Sequence, residues 1–258
     1  MTATALVQTA ALGKRAVVRT ARQPANVVFP LIFPMLLFAV NAGGLKAETQ
    51  LPGFPTDSFV AFALAVPFVQ GALLATINAN VEFARDIQTG FLNRLALTPV
   101  RGIVLLFGQL GGLVTIAVVQ AIFYLAVGLA FGVRLQSGVA GAAMLLLLET
   151  CIALAFASLG SWAALRTGST EAVQGLFPVF FVFLFLSSMN IPRNLIEADW
   201  FRWVATVNPV SYLIEGVRSL IILGWDWGKL AVCVGVIVGL VGLLTTLSLR
   251  AIANYDRS

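Results

Sequence analysis

The chain has 258 residues, of which 59% are hydrophobic and only 10% are charged, and its mean hydropathy is +0.95. A soluble domain is about half apolar and about a quarter charged, so this composition excludes an ordinary soluble fold and predicts an integral membrane protein. The sequence has no histidine, which excludes histidine-ligated zinc sites and histidine-dependent catalytic triads, and we expect no metal site.

The chain begins with an amphipathic segment. Residues 3–22 mix apolar side chains with Lys14, Arg15, Arg19 and Arg22, a pattern typical of a helix that lies on the membrane surface. A frayed tail is the alternative. A membrane-length apolar run follows the basic residues with no small-residue cleavage pattern between them, so we do not expect a cleaved signal peptide.

Six apolar runs follow, each long enough to cross a bilayer as a helix, which takes about 20 residues. They cover residues 27–45, 58–80, 102–133, 139–162, 173–191 and 229–249. The predicted fold is therefore all-α, one transmembrane domain over residues 1–258 with six transmembrane helices. Of the 16 lysines and arginines, ten fall on the side of the two termini and six on the other side. This bias predicts cytoplasmic termini, and the net charge of +5 indicates topology rather than a nucleic-acid partner.

The loop at residues 81–101 concentrates charge between the second and third runs. Its candidate functional residues are Glu82, Arg85, Asp86, Gly90, Arg94, Thr98, Pro99 and Arg101. Glu82, Arg85 and Asp86 fall on one helical face and can pair at a spacing of three or four residues. The helix is expected to break before the proline. On this information alone the loop is a solvated connector, held by ion pairs worth about a few tenths of a kcal/mol each.

Glu149 lies near the middle of the fourth run. An ionisable group at that depth costs about 2.5–3.5 kcal/mol on insertion scales, so it usually faces protein or water. We expect either an interhelical hydrogen bond, with Gln120 or Gln174 as candidate partners, or a role in carrying substrate or protons.

The segment at residues 192–228 is rich in aromatic residues, although an extracellular loop is normally polar. Asn208-Pro209 is a favourable helix start, with an asparagine N-cap and a proline in the first turn. We predict two helices too short to span the membrane, at residues 195–206 and 208–223. They form a re-entrant pair that dips into the outer leaflet before the last span, and protein must shield the non-helical backbone at their junction.

Two of these segments carry a family resemblance. The charged loop ends in Thr98-Pro99-Val100-Arg101, and the outer segment reads Asn208-Pro209-Val210-Ser211-Tyr212-Leu213, then Glu215 and Arg218. Together they resemble type-2 ABC transporter permeases, the transmembrane subunits of drug, lipid and polysaccharide exporters, of the daunorubicin-resistance-like kind. The loop departs from the family pattern at Gln88-Thr89-Gly90.

The resemblance implies a division of labour between subunits. Residues 81–101 would contain the cytoplasmic coupling helix, which docks into a separate ABC ATP-binding subunit. Two copies of that subunit would work with two permease chains, identical or paralogous. The chain has no G-x-x-x-x-G-K-[ST] loop for binding a nucleotide, so it would not be an enzyme by itself; it would carry no cofactor, and ATP and Mg²⁺ would sit on the partner. The implied location is a bacterial-type inner membrane, as a multi-pass protein in contact with lipid.

The resemblance also implies a substrate path lined by the first, second and fifth spans. The candidate residues are Phe177, Phe181 and Phe185, spaced four apart on one helical face, and the polar Asn41, Gln70 and Asn78. An aromatic wall favours a hydrophobic drug or lipid-like substrate, with a polysaccharide or glycolipid as the alternative. A stripe that only packs or faces lipid is the simpler interpretation.

An extracellular gate is implied by the outer motif, formed by Asn208, Pro209, Tyr212, Glu215 and Arg218. Glu215 and Arg218 are spaced to pair within one helix. The pair is either a local salt bridge or a contact that parts during release.

Three other functions remain open. A secondary transporter with Glu149 as proton carrier would need no ATPase and often has an internal repeat, of which we find none. A membrane-embedded enzyme lacks a catalytic constellation in this sequence. A subunit that recruits a partner without transporting anything would keep the charged loop.

Overall fold

The computed structural model describes residues 18, 22, 24–90 and 102–255 of the chain. Every regular element in this part is helical, which confirms the predicted all-α class. The α-helices are α1 (Pro24–Gly44), α2 (Phe59–Ala63), α3 (Ala65–Gln88), α4 (Gly102–Ala130), α5 (Gly138–Thr167), α6 (Thr170–Gln174), α7 (Leu176–Phe185), α8 (Asp199–Val207), α9 (Pro209–Ile222) and α10 (Trp227–Tyr255); Lys46–Gln50 and Arg193–Leu195 are 3₁₀ helices. The surface helix predicted at residues 3–22 lies outside the described residues, apart from positions 18 and 22.

Within the described ranges, five helical stretches are long and apolar enough to cross a membrane. They are Val27–Gly44, Phe59–Gln88, Gly111–Ala130, Gly138–Thr167 and Trp227–Leu247. The protein is therefore a multi-pass membrane protein, as its composition predicted.

The run predicted as the fifth span, residues 173–191, is not one long helix. It forms the end of α6 and all of α7, and the backbone after α7 is irregular. Side chains satisfy the last carbonyls of α7, since Ser187 Oγ donates to Leu184 O at 2.5 Å and the Asn208 amide donates to Phe183 O. These bonds stabilise a helix end at this point. Helix length alone thus supports five spans and does not confirm the predicted six.

Helix α3 lies at the centre of the bundle. It packs against α1, α4, α5 and α9, and residues 61–76 are all buried. Small residues allow the close approach: Gly71 lies against the ring of Tyr124, and Gly128 lies against Leu64. A methyl group at Gly71 would lie 2.5 Å from Tyr124 Oη, so this part of the core has no spare room.

Helices α3 and α5 run in the same direction. Thr76 Oγ1 donates to Ala153 O at 3.0 Å, and about one turn further along α3 and two turns further along α5, Ser161 Oγ donates to Asn80 Oδ1 at 2.9 Å. The α3–α5 contact is therefore fixed by buried polar groups as well as by apolar packing.

The bundle has two unlike ends. At one end, which we call the long-loop end, residues 131–137 contact residues 186–226. Here Gln136 N donates to Ile221 O, and Ser137 Oγ donates to Leu220 O. At the opposite end, which we call the short-loop end, α3 and α5 finish and α6 begins. A small core at this end consists of Phe83, Ala84, Ala164 and Val173.

The charged segment predicted as a loop begins inside α3. This helix continues past residue 80, where the second span was predicted to end, so Glu82, Arg85 and Asp86 occupy its last turns. It finishes at Thr89 and Gly90, whose φ of +69° suits glycine. The other candidate residues of the loop lie outside the described residues; they are Arg94, Thr98, Pro99 and Arg101.

Candidate functional site

The charged end of α3 is the first candidate site. Arg85 Nη1 lies 3.4 Å from Glu82 Oε1, which confirms the pairing predicted from their spacing. Arg85 is exposed and Asp86 is half-buried, and Gly168, just after α5, approaches Ile87 Cγ2. The charged turn is thus accessible at the short-loop end and is joined by continuous helix to the centre of the bundle.

Asn208 connects the start of α9 to the end of α7. Its Oδ1 accepts a hydrogen bond from Val210 N at 2.9 Å, and Pro209 follows in the first turn, so the predicted helix start is confirmed. Its Nδ2 donates to Phe183 O at 2.5 Å and to Leu186 O at 2.9 Å. One side chain therefore satisfies the termini of two helices.

Arg218 is a buried cation on α9, only 5% exposed. Its Nε, Nη1 and Nη2 donate to the carbonyl oxygens of Phe62, Ser188 and Met189 at 3.1, 3.0 and 2.9 Å. The guanidinium carbon also lies 3.5 Å from the centre of the Phe62 ring, a cation–π contact. Burial lowers the pKa of Arg218 to about 9, so the guanidinium stays charged at neutral pH. It supplies donors to the irregular backbone at Ser188 and Met189 and to the Phe62 carbonyl at the end of α2.

The structure corrects the pairing expected for Glu215. This carboxylate accepts hydrogen bonds from Arg193 Nε at 2.7 Å and Arg193 Nη2 at 2.6 Å, while Arg218 is directed into the core. Arg193 also lies 4.4 Å from the centre of the Tyr212 ring, and Tyr212 Oη donates to Thr206 O at 2.7 Å. Sequence reasoning missed Arg193 because it is 22 positions away, and helical spacing offered a nearer cation.

An open cavity of about 550 Å³ lies over Arg218 at the long-loop end. Its charged wall residues are Arg193, Arg202, Glu215, Arg218 and Lys229. Arg202 pairs with Asp199 and Lys229 pairs with Asp226, both across three residues. Two predicted gate residues, Glu215 and Arg218, thus line one cavity.

Phenylalanine rings form a row on the surface between α1 and α7, which we call the aromatic face. The ring centres of Phe177 and Phe181 lie 4.5 Å apart, and those of Phe181 and Phe185 lie 6.1 Å apart. On α1, Phe33 lies 6.0 Å from Phe181, and Phe29 lies 5.3 Å from Phe33. Sequence reasoning missed these two, although their spacing of four residues is the signal that identified the others. Phe29 and Phe185 are 51% and 55% exposed.

The three polar residues expected on the same path lie at different levels. Asn41 donates from Nδ2 to Asn190 Oδ1 at 3.4 Å, at the long-loop end. Asn78 is half-buried further along α3. Gln70 is 1% exposed, so it faces other helices rather than a surface path.

Glu149, Gln70, Gln120 and Tyr124 are buried polar side chains on the adjoining helices α3, α4 and α5, and we call these four residues the interior cluster. All four side chains are at most 1% exposed. Neither carboxylate oxygen of Glu149 has a hydrogen-bond partner among the described residues. Of the partners expected for it, Gln174 is exposed at the short-loop end and is therefore excluded.

Known proteins resemble this chain along nearly all of its length. The family model described as ABC-2 type transporter matches residues 7–222, which takes in every element from α1 to α9. A protein of Porphyra purpurea assigned the name transport permease ycf38 is 28% identical over 220 residues, covering 84% of this chain and 74% of the relative. A protein of the same name from Pyropia yezoensis is 26% identical over 257 residues, which cover 95% of this chain and 87% of the relative. A Mycobacterium tuberculosis protein assigned as the doxorubicin resistance ABC transporter permease protein DrrC is 22% identical over 232 residues, which cover 90% of this chain and 80% of the relative.

Proposed function

Since the chain belongs to the ABC-2 type transporter family, we propose that this permease is the transmembrane subunit of an ATP-driven exporter. It works as one of two permease chains with two copies of a separate ATP-binding subunit. ATP and Mg²⁺ are bound by that subunit, and the permease supplies the substrate path.

The observation that carries the proposal is helix α3. Its last turns hold Glu82, Arg85 and Asp86 at the short-loop end, and its first half is buried in the centre of the bundle. A soluble subunit that docks on the charged turn and on residues 91–101 can push on the core through one continuous helix. Charged groups at such a contact select the partner and set its register more than they add affinity.

The contacts of α6, α7 and the residues after them reach from one end of the bundle to the other, which supports a fifth membrane crossing by this segment. Val173 shares the small core of the short-loop end with Phe83, while the Ser188 and Phe62 carbonyls bind the same guanidinium at the long-loop end. Phe62 and Phe83 are 21 positions apart on nearly continuous helix, or about 32 Å, close to the ~30 Å of a hydrocarbon core. The segment from α6 to Ser188 covers the same height. The chain then crosses six times and both termini lie on one side.

The orientation follows from the basic residues. Ten of the 16 lysines and arginines fall on the side of the short-loop end and the termini, which favours the cytoplasm for that side. The membrane is then a bacterial-type inner membrane, and α8 and α9 lie at its outer face as the re-entrant pair. Trp200 and Trp203 of α8 are 66% and 69% exposed, as suits residues in the headgroup region.

The aromatic face supports a hydrophobic or amphipathic substrate. Its five rings belong to α1 and α7, and each ring lies next to another to form a continuous apolar surface. Stacking on such rings suits a drug or a lipid better than a sugar chain. The relative assigned to doxorubicin resistance favours the same class. Two copies of this face, one on each permease chain, would line the path.

The proposal is tested by ATP hydrolysis. The permease is reconstituted in lipid nanodiscs with the ATP-binding protein encoded nearest to it, and ATPase activity is measured across a panel of amphipathic drugs and lipids. We expect stable association and a stimulation of several-fold by the right substrate. Asp86→Arg reverses the charge at the docking turn and should remove the stimulation while the permease still inserts and folds.

A matched control places the same change at the other end of the molecule. Asp199→Arg reverses an exposed carboxylate on α8, which the partner does not reach, and should leave ATP hydrolysis as in the wild type. Equal stimulation in Asp86→Arg and the wild type would remove α3 as the coupling element. Failure of the wild-type chain to associate with any ATP-binding subunit would overturn the exporter itself.

A further inference from the structure

The interior cluster contains acceptor atoms without donors. Glu149 Oε1, Glu149 Oε2, Gln70 Oε1 and Gln120 Oε1 are all buried without a hydrogen-bond partner in the described part of the chain. Buried polar atoms in folded proteins are nearly always paired, so a group of oxygens without partners requires an explanation. The missing component is a donor.

Contacts of α4 hold these oxygens at one level of the bundle. Gln120 Nε2 donates to Gly71 O at 3.3 Å, and Gly71 directly follows Gln70. Tyr124, one turn after Gln120, lies against Gly71 and is close enough to Glu149 to interact with it electrostatically. Three helices, α3, α4 and α5, therefore bring their polar groups together.

The hydrogen bond from Thr76 Oγ1 to Ala153 O fixes the height of α5 relative to α3 and so the height of Glu149 relative to Gln70. Glu149 precedes Ala153 by four residues, about one turn, and so lies on the same face of α5. Gln70 precedes Thr76 by six residues. The two side chains are thus within about one turn of each other in height.

We propose that the interior cluster is a proton-binding site. Glu149 takes one proton from solvent and becomes a neutral carboxylic acid, with formation of one O–H bond and no other change. The acid then donates a hydrogen bond to Gln120 Oε1 or Gln70 Oε1, so one proton removes the charge and pairs two of the four oxygens.

The surroundings favour a proton over the ionised group. Besides Tyr124 on α4, Cys151 on α5 and Cys233 on α10, the described titratable groups of α3, α5 and α10 lie in the terminal turns of these helices: Glu82, Arg85 and Asp86 on α3, Arg166 on α5 and Lys229 on α10. From α9, Arg218 directs its donors to three carbonyls at the long-loop end. A carboxylate buried without a cation or a donor is strongly disfavoured. A hard metal ion takes about six or more oxygens, and the cluster offers four.

Protonation of Glu149 affects Tyr124, which binds α1, one of the two helices that carry the aromatic face. Pro34 has no N–H, so Pro30 O lacks its partner within α1, and Tyr124 Oη donates to it at 2.6 Å. Glu149 and α1 thus act on the same tyrosine, and loss of the proton would place a negative charge beside it. The site therefore links the protonation of the core to the helix that carries Phe29 and Phe33. This inference does not depend on the direction or the substrate of transport.

Infrared spectroscopy of the full chain in nanodiscs tests the site. At pH 7 the wild type should show the carbonyl band of a protonated carboxylic acid, with an intensity of one group per chain. Glu149→Gln is isosteric and neutral and should lose the band completely. Glu171→Gln changes an exposed glutamate and should keep it. Gln120→Leu or Gln70→Leu should shift the band to higher wavenumber, and the variant that does so identifies the acceptor.

Stability gives a second readout. The wild type should lose thermal stability as alkaline pH removes the proton, while Glu149→Gln should show no such loss. Absence of the acid band from the wild type at pH 7 would overturn the proposal, whether or not the variant folds. A band that survives in Glu149→Gln, or a wild type stabilised by Na⁺ or K⁺ with no acid band, would overturn it as well, the latter in favour of a bound metal ion.

Discussion

At the scale of single residues, Arg218 shows how a charged side chain becomes part of a membrane-protein core. Irregular backbone inside a membrane protein leaves carbonyls without helical donors, and leaving them unpaired is costly. The guanidinium carries five N–H groups in a planar fork, and three of its nitrogens donate to carbonyls of two separate segments. The residue thus replaces missing backbone donors, with its charge spread over a delocalised group and resting on the Phe62 ring.

Replacing Arg218 should therefore destabilise the fold even where the charge is kept. Arg218→Met removes the guanidinium donors from three carbonyls, two of them in irregular backbone, and a buried group left unpaired costs about 1–3 kcal/mol. Arg218→Lys keeps the charge, but a compact ammonium cannot form the fork. We expect both variants to lower the thermal unfolding midpoint clearly, measured on the purified protein in detergent. Arg202→Met removes an exposed cation from the wall of the same cavity and should change the midpoint little; a wild-type midpoint in Arg218→Lys would contradict the assigned role.

At the scale of helices, the junction of α7 and α9 depends on the two functions of Asn208. The oxygen of its amide caps α9 and the nitrogen satisfies the end of α7. A serine at this position can still cap α9 through its hydroxyl, since serine is a good N-cap, but it cannot reach both carbonyls of α7. An alanine loses both functions.

Asn208→Ser and Asn208→Ala should accordingly separate the two contributions. The step from serine to alanine should cost about 1 kcal/mol, the usual value of an N-cap. The step from asparagine to serine should cost at least as much, because two part-buried carbonyls lose their donor. Unfolding free energies of the three proteins, measured under one set of conditions, test this order. If serine matched asparagine, the amide nitrogen would contribute nothing to the end of α7.

The contact of α3 with α4 depends on a glycine. Gly71→Ala would place a methyl group against Tyr124, whose ring is buried and whose hydroxyl binds Pro30 O, so the ring must move and that bond must lengthen. We expect a lower unfolding midpoint, although alanine is the better helix former by about 1 kcal/mol. Gly239→Ala on α10 meets no atom within 4 Å and should be neutral or stabilising. Equal unfolding midpoints for Gly71→Ala and Gly239→Ala would show that α4 can move away from α3 without loss of stability.

Much of this architecture could be predicted at the level of helices. Apolar runs gave the long spans because lipid requires about 20 apolar residues, and Asn208-Pro209 gave the start of α9 because capping is local. The end of α7 could not be predicted, because it depends on donors from Asn208, which is more than 20 positions away. The partner of Glu215 was missed for the same reason. The acceptor oxygens around Glu149 come from three helices, so only the packed bundle brings them together.

At the scale of the whole molecule, the bundle separates two kinds of task. The long-loop end holds irregular backbone, an open cavity and the two short helices, all fixed by side-chain hydrogen bonds. The short-loop end holds the charged turn of α3. Between them α3 is continuous and α1 and α7 carry the aromatic face on the outside of the bundle, so a movement of α3 reaches the contacts of α1 through Gly71 and Tyr124. This arrangement suits a subunit that converts docking at one end into rearrangement of a path at its side.

Whether the two ends lie on opposite sides of the membrane is decided by labelling. In a chain with Cys151 and Cys233 replaced by alanine, single cysteines are placed at Glu171, before the fifth crossing, and at Asn194, after it; both positions are exposed. A membrane-impermeant maleimide should label position 194 in intact cells and position 171 only after permeabilisation, because the proposed six crossings with cytoplasmic termini would put the short-loop end inside. Position 89, exposed at the end of α3, should follow position 171. Labelling of 171 and 194 from the same side would eliminate the fifth crossing, whereas the reversed pattern would keep six crossings and invert the orientation.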